Sequence, residues 1–195
     1  MIRLTIIAIA ALTMTCQASV FDFESVPAGT TTPFSITEDG ITASFSSPGT
    51  NDFFVTPGFF STLTGNTLLV ADPGPDALFI NLSQPVTDLS LRFALNAPPS
   101  AEIMVQAMLG SDVIGSASAT GTIPPMFIFP EGVLTFSAGQ FDSLTISSAA
   151  NDFAVDDIAV TTSAIPEPGS LLLTAFGLAG VLALASRSCQ VAAKR

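Results

Sequence analysis

The chain has 195 residues, of which 16 are acidic and five basic, and it contains no His, Trp or Tyr. With no His, and with its single Lys at position 194, it lacks the usual general base of a Ser or Cys hydrolase triad, and imidazole-held zinc, copper or iron centres are excluded too. A formal charge of −11 repels nucleic acid and anionic lipid and leaves carboxylate, hydroxyl, amide and backbone as the available chemistry.

At the N-terminus, Arg3 precedes an apolar stretch over residues 4–14, and Cys16-Gln17-Ala18 offers a small-x-small cleavage site before Ser19. This order predicts a secretory signal peptide over residues 1–18, cut between Ala18 and Ser19; the apolar part is too short for a membrane span. Thr13-Met14-Thr15 is a poor lipobox, which argues against acylation of Cys16.

Residues 19–163 then form one expected domain, close to the commonest domain size and long enough to bury a core. Up to residue 165 the mature chain holds 15 acidic residues against Arg92 alone, a formal charge of −14. No sustained 3.6-residue period appears there. Period-2 alternation recurs instead, bounded by Gly, Pro, Asn and Asp. "VFDFE" sets Phe21 and Phe23 opposite Asp22 and Glu24, and "GITASFSS" alternates Ile41, Ala43 and Phe45 with Thr and Ser. "ALFINL" and "TDLSLRFAL" follow, divided by an expected turn at Gln84-Pro85. "AEIMVQAMLG" and "SDVIGSASATG" read as a pair joined by a short turn, and "GVLTFSA", "FDSLTISS" and "FAVDDIAVTT" complete the set. The pattern predicts an all-β fold, an antiparallel β-sandwich or jelly roll of about eight to ten strands, with 15 of the 16 Phe residues available to its core. No fixed-period repeat points to a solenoid.

The last segment, residues 164–195, begins with an extended Pro-rich linker. Between Glu167 and Arg187 lie 19 uncharged residues, which as a helix would reach about 28 Å, close to the ~30 Å of a bilayer's hydrocarbon. The expected transmembrane helix covers residues 169–186. Arg187, Lys194 and Arg195 behind it place the tail in the cytoplasm and the domain outside.

Pro166-Glu167-Pro168-Gly169-Ser170, the apolar run and the basic tail together resemble the PEP-CTERM sorting signal of Gram-negative bacteria, a region also labelled ice-binding-protein C-terminal domain. The resemblance covers about residues 164–195. It implies export through the secretion machinery, transient anchoring in the inner membrane, and recognition at Pro166, Glu167 and Pro168 by an exosortase that releases the protein to the cell surface or matrix. The tail departs from the usual dense basic cluster, because six residues separate Arg187 from Lys194.

Within the domain, "NDFAVDDIAV" carries the sharpest local signal. Phe153 and Val155 share one apolar phase and Ile158 and Val160 the other, so the phase switches at Asp156-Asp157 and predicts a bulge that can aim two carboxylates at one point. Exported jelly-roll domains resemble this arrangement of first and last strands, where acidic residues hold a structural calcium ion. That resemblance implies Glu24, Asp156 and Asp157 as ligands, with Asn151 and Asp152 as weaker ones; oxygen donors suit calcium. The alternative is a solvated strand edge. Paired carboxylates also serve glycoside hydrolases, although Trp and Tyr platforms are missing. In "NDFFVTPGFF", Phe53-Phe54 and Phe59-Phe60 cannot all point inward from one strand, so either some form an exposed contact patch or a loop folds over the core. The functional expectation is a non-enzymatic, exported structural or adhesive protein of the envelope or matrix. The alternative is a carbohydrate-binding module for exopolysaccharide, and the third reading is a carboxylate-pair hydrolase.

Overall fold

The computed structural model describes residues 18–48, 52–70, 77–150 and 152–162, which fall within one compact unit, Cys16–Ser163. Residues 1–17 of the expected signal peptide, Asn151, the Pro166-Glu167-Pro168 motif, the expected helix over 169–186 and the basic residues of the tail lie outside the described residues. Among the described residues no helix is long and apolar enough to cross a membrane.

The fold is all-β and antiparallel, as alternation predicts. Its strands are β1 (Ala18–Phe21), β2 (Phe34–Glu38), β3 (Ile41–Ser46), β4 (Phe53–Pro57), β5 (Asn66–Val70), β6 (Ala77–Leu95), β7 (Glu102–Leu109), β8 (Asp112–Thr120), β9 (Glu131–Ser148) and β10 (Phe153–Thr161). Ten strands stand at the top of the expected range. They share one hydrogen-bonded sheet whose main path is β4-β5-β10-β6-β9-β7-β8.

Tight turns set the register of two hairpins. Asp39 and Gly40, both at positive φ, close β2 onto β3, the backbone that an Asp-Gly pair favours. Ser35 with Ser44, and Thr37 with Thr42, then bond across the pair at 2.9 Å on its solvent side. The predicted pairing of β7 with β8 through a short turn at Gly110 is also found.

The sequence expectation fails at Gln84-Pro85. No turn divides the chain there, and β6 runs through it as one long strand of 19 residues paired with β9, which has 18. Both strands lose regular register at the same place, where Val86 faces Phe141. Pro85 is tolerated because it sits in that irregular stretch, where no ladder bond requires its missing N–H. The inward phase of β6 changes there from Leu78, Ile80 and Leu82 to Leu89, Leu91, Phe93 and Leu95.

The irregularity divides the sheet into two halves with different neighbours. The first half of β6 pairs with β3, and the second half pairs with β10. Strands β5 and β1 share the far edge of β10, β5 at Ala154 and Val155 and β1 from Ile158 to Thr161. Across the interior, Phe21 of β1 meets Phe45 of β3 edge to face with ring centroids 6.3 Å apart, although those strands share no ladder. The halves therefore pack as two layers over a core that includes Phe21, Phe23, Phe45, Phe53, Phe93, Phe141 and Phe153. Each such side chain is worth roughly 1.5–3 kcal/mol of burial.

Candidate functional site

The 58–65 loop between β4 and β5 organises the site. Gly58 donates its amide to the Gly65 carbonyl at 2.6 Å, which closes the loop on itself. Glu131, 3% exposed at the start of β9, holds it from below. Its carboxylate accepts the amides of Ser61 and Thr62 at 2.8 and 2.7 Å and the Thr62 hydroxyl at 2.6 Å. A buried carboxylate without a cationic partner is tolerable when its oxygens take several such bonds. Arg92 reaches the same loop through the Thr62 carbonyl, at 3.3 Å. Leu63 packs into a small cluster with Ala94 and Ala154.

So fixed, the loop presents two aromatic rings. Phe60 is partly buried against the Leu63 cluster, and Phe59 stacks on Phe60 with centroids 4.4 Å apart. Phe129, from the 121–130 loop, stands edge-on to both at 5.9 and 5.7 Å. Phe59 remains 56% exposed. The three rings wall a cleft of about 140 Å³ whose floor is Leu69, Val70, Ala94, Leu95, Phe153 and Ala154. Its polar lining comes from Asn96 and Asp152. These two are tied together: the Asn96 backbone amide donates to the Asp152 carbonyl at 2.9 Å, and Asn96 Nδ2 donates to Asp152 Oδ2 at 2.8 Å. Asp152 Oδ1 is shielded and takes no hydrogen bond.

The other end of the same loop meets the carboxylates singled out in the sequence. Glu24 Oε1 accepts the Asn66 amide at 2.8 Å, and its carboxylate fills the place a side chain at Gly65 would occupy. Asp156 is 1% exposed and accepts the Asp157 amide on Oδ1 at 2.8 Å, while Oδ2 is buried without a partner. Burial pushes its carboxyl up to about 7; the charges of Asp157 and Glu24 push the same way, and the Asp157 and Thr64 backbone oppose them.

The expected bulge is present. One extra residue lies between Asp156 and Ala159 relative to β6, and Asp157 adopts φ +46°. It brings Asp156 to the Glu24 side of the 58–65 loop, whereas Asp157 stays half-exposed and pairs with Arg92 Nε at 2.9 Å. Glu24 and Asp156 are thus neighbours, and Asp157 is engaged elsewhere. Among the described residues no three acidic, Cys or His side chains converge as a metal cluster. Asp152 belongs to the aromatic cleft instead. The predicted cleavage bond between Ala18 and Ser19 lies within β1, where Ala18 pairs with Thr161 and Ser19 is buried. A peptidase would reach it only before β1 joins the sheet.

The Phe59 patch was among the sequence expectations; its partner Phe129 and the rim residue Asn96 were not. Neither carries a local signal, because each meets the cleft only through long-range strand pairing.

No family model and no curated protein matches the chain. Among solved structures, a family 29 carbohydrate-binding module from Piromyces equi is similar at 14% identity and a TM-score of 0.41, over 77% of this chain and 93% of that one. The K1 cleaved adhesin domain of Lys-gingipain from Porphyromonas gingivalis is similar at 11% identity and a TM-score of 0.41, over 75% and 99%. A carbohydrate-binding module of the Cellvibrio mixtus lichenase 5A, in complex with cellotriose, is similar at 14% identity and a TM-score of 0.34, over 60% and 92%. Likeness at this level carries no argument about ligand.

Proposed function

We propose that this chain is an exported, non-enzymatic protein that binds carbohydrate at the Phe59, Phe60 and Phe129 cleft. The observation that carries the reading is the exposed face of Phe59, stacked on Phe60 at the mouth of an apolar cleft with an amide and a carboxylate on its rim. Rigid aromatic faces beside a few placed polar groups are what a sugar ring's apolar C–H face and hydroxyls match. At about 140 Å³ the cleft is smaller than the ~300–1,000 Å³ of pockets that engulf a ligand, so it suits one decorated ring of a surface polysaccharide. Calorimetry against an exopolysaccharide panel tests this. Saturable binding weakened at least about tenfold by Phe59→Ala supports it; no binding to any glycan overturns it.

The adhesive reading has its own observation. The 121–130 loop, which contributes Phe129, leaves Ile123, Met126, Phe127 and Ile128 exposed, an apolar patch suited to contact with another surface. Both readings fit export and sorting by the Pro166-Glu167-Pro168 signal through exosortase. Glu167→Ala tests that sorting: unchanged size and location of the mature protein would remove it.

A structural calcium ion fits Glu24 and Asp156. A buried carboxylate with one unpartnered oxygen, beside a second carboxylate, lacks the positive charge that a hard cation would supply. These two residues would hold the ion, and its role would be to neutralise and brace the 58–65 loop. A melt with and without EDTA decides: an unshifted midpoint discards the ion.

A further inference from the structure

Resting on the carbohydrate-binding reading, we infer that the cleft selects the acetamido group of an N-acetylated amino sugar. The floor of the cleft refuses a bare sugar ring. Leu69, Val70, Ala94, Leu95, Phe153 and Ala154 offer a sugar hydroxyl no side-chain hydrogen-bond partner, so an unmodified ring seated there would leave hydroxyls desolvated and unpaired. The cleft instead accepts a small apolar group. Its volume of about 140 Å³ is close to that of an apolar cavity of ~150 Å³ able to hold benzene.

The rim then asks for an amide. Asn96 spends one of its two side-chain N–H groups on Asp152 Oδ2, which fixes the orientation of its carboxamide. A second N–H donor and the Oδ1 acceptor remain. An acetamido substituent carries a methyl group for the floor, and its planar trans amide offers Asn96 one partner at a time, an N–H for Oδ1 on one side or a carbonyl for the remaining Nδ2 hydrogen on the other. The ring bearing it would lie against the exposed face of Phe59.

Charge narrows the class further. The domain carries a formal charge of −14 and the cleft includes Asp152, so uronate or sulfated sugars are repelled. A free amino sugar would be attracted to Asp152 but would have to bury an ammonium group over apolar side chains, which is costly. The neutral acetylated form escapes both penalties.

The test uses the full-length chain in mild detergent, titrated calorimetrically with four probes of matched length. These are an oligomer of N-acetylglucosamine, the same oligomer after N-deacetylation, a cello-oligosaccharide and an oligouronate. The expected result is binding of the acetylated oligomer at least about tenfold tighter than of the other three. Asn96→Ala should abolish that preference, with the circular dichroism spectrum unchanged, and Phe59→Ala should weaken every ligand that binds. Equal affinity for the acetylated oligomer and the cello-oligosaccharide would overturn the acetamido inference while leaving carbohydrate binding intact. Binding of none of the four, nor of any wider glycan set, would remove the underlying reading as well.

Discussion

Replacing Asp156 by Asn should stabilise the domain at pH 8 when divalent cations are removed. The folded protein holds the Asp156 carboxyl at about 7 against an ordinary value of 3.8. A raised value means that the fold prefers the neutral acid. The penalty is therefore absent below pH 3.8, grows as pH rises from 3.8 to about 7, and is constant above that. At roughly 1.4 kcal/mol per pH unit, keeping the charge inside at pH 8 costs up to about 4 kcal/mol. Asn removes the charge and keeps the Oδ1 acceptor for the Asp157 amide, but its Nδ2 hydrogens enter a place without an acceptor, which returns ~1–3 kcal/mol. The net gain is about 2 kcal/mol, or ~4–8 °C in Tm for a domain of this size. Thermal melts in EDTA from pH 4 to 8 should show the wild type losing stability across that window and the variant staying level. Adding calcium at pH 8 should reverse the order if the proposed ion binds, because the variant lacks one of the two carboxylates proposed to hold it. A wild type with a level profile in EDTA, and a variant no more stable at pH 8, would refute the reasoning.

Glu131→Ala strips two backbone amides and one hydroxyl of their shared acceptor and should cost about 2–4 kcal/mol in urea unfolding. It should also weaken glycan binding, because Phe59 and Phe60 ride on the loop it holds. Gly65→Ala combines φ +74° with a methyl that would overlap the Glu24 carboxylate, and should lower stability by about 2 kcal/mol or more, read as a drop in Tm. Arg92→Ala removes a half-exposed ion pair and one long bond to the Thr62 carbonyl. Its unfolding free energy should change by less than about 1 kcal/mol.

The reading of β10 shows why local pattern succeeds where it does. A bulge shifts side-chain phase by one residue, so the switch from Phe153 and Val155 to Ile158 and Val160 records it directly in the sequence. Strand β6 carries a phase switch too, from Leu78, Ile80 and Leu82 to Leu89, Leu91, Phe93 and Leu95, but a turn between two strands accounts for it as well as an irregularity within one. Gln84-Pro85 has turn chemistry, and it is the match between Val86 and Phe141 on a distant strand that keeps the chain extended there. Strands β2, β4 and β5 are short and were not separately legible, since "FSITE", "FFVTP" and "NTLLV" hold too few alternations to stand out from loop. The cleft was half visible. Adjacent Phe pairs announce that some rings must face outward, but choosing Phe59 requires knowing that Glu131 pins Ser61 and Thr62.

The run of β10 also has a mechanical meaning. Phe153 lies in the floor of the aromatic cleft, and Thr161, eight residues on, pairs with Ala18 at the strand's other end, about 27 Å away. If a ligand pulls at the cleft while the chain is held beyond Thr161, the load runs along the strand. Antiparallel ladder bonds stand perpendicular to that direction, so those to β6 on one edge and to β1 and β5 on the other share the force at once. They are sheared together and not peeled one by one. Such a strand suits a domain that must keep hold of a polymer while the two are being dragged apart.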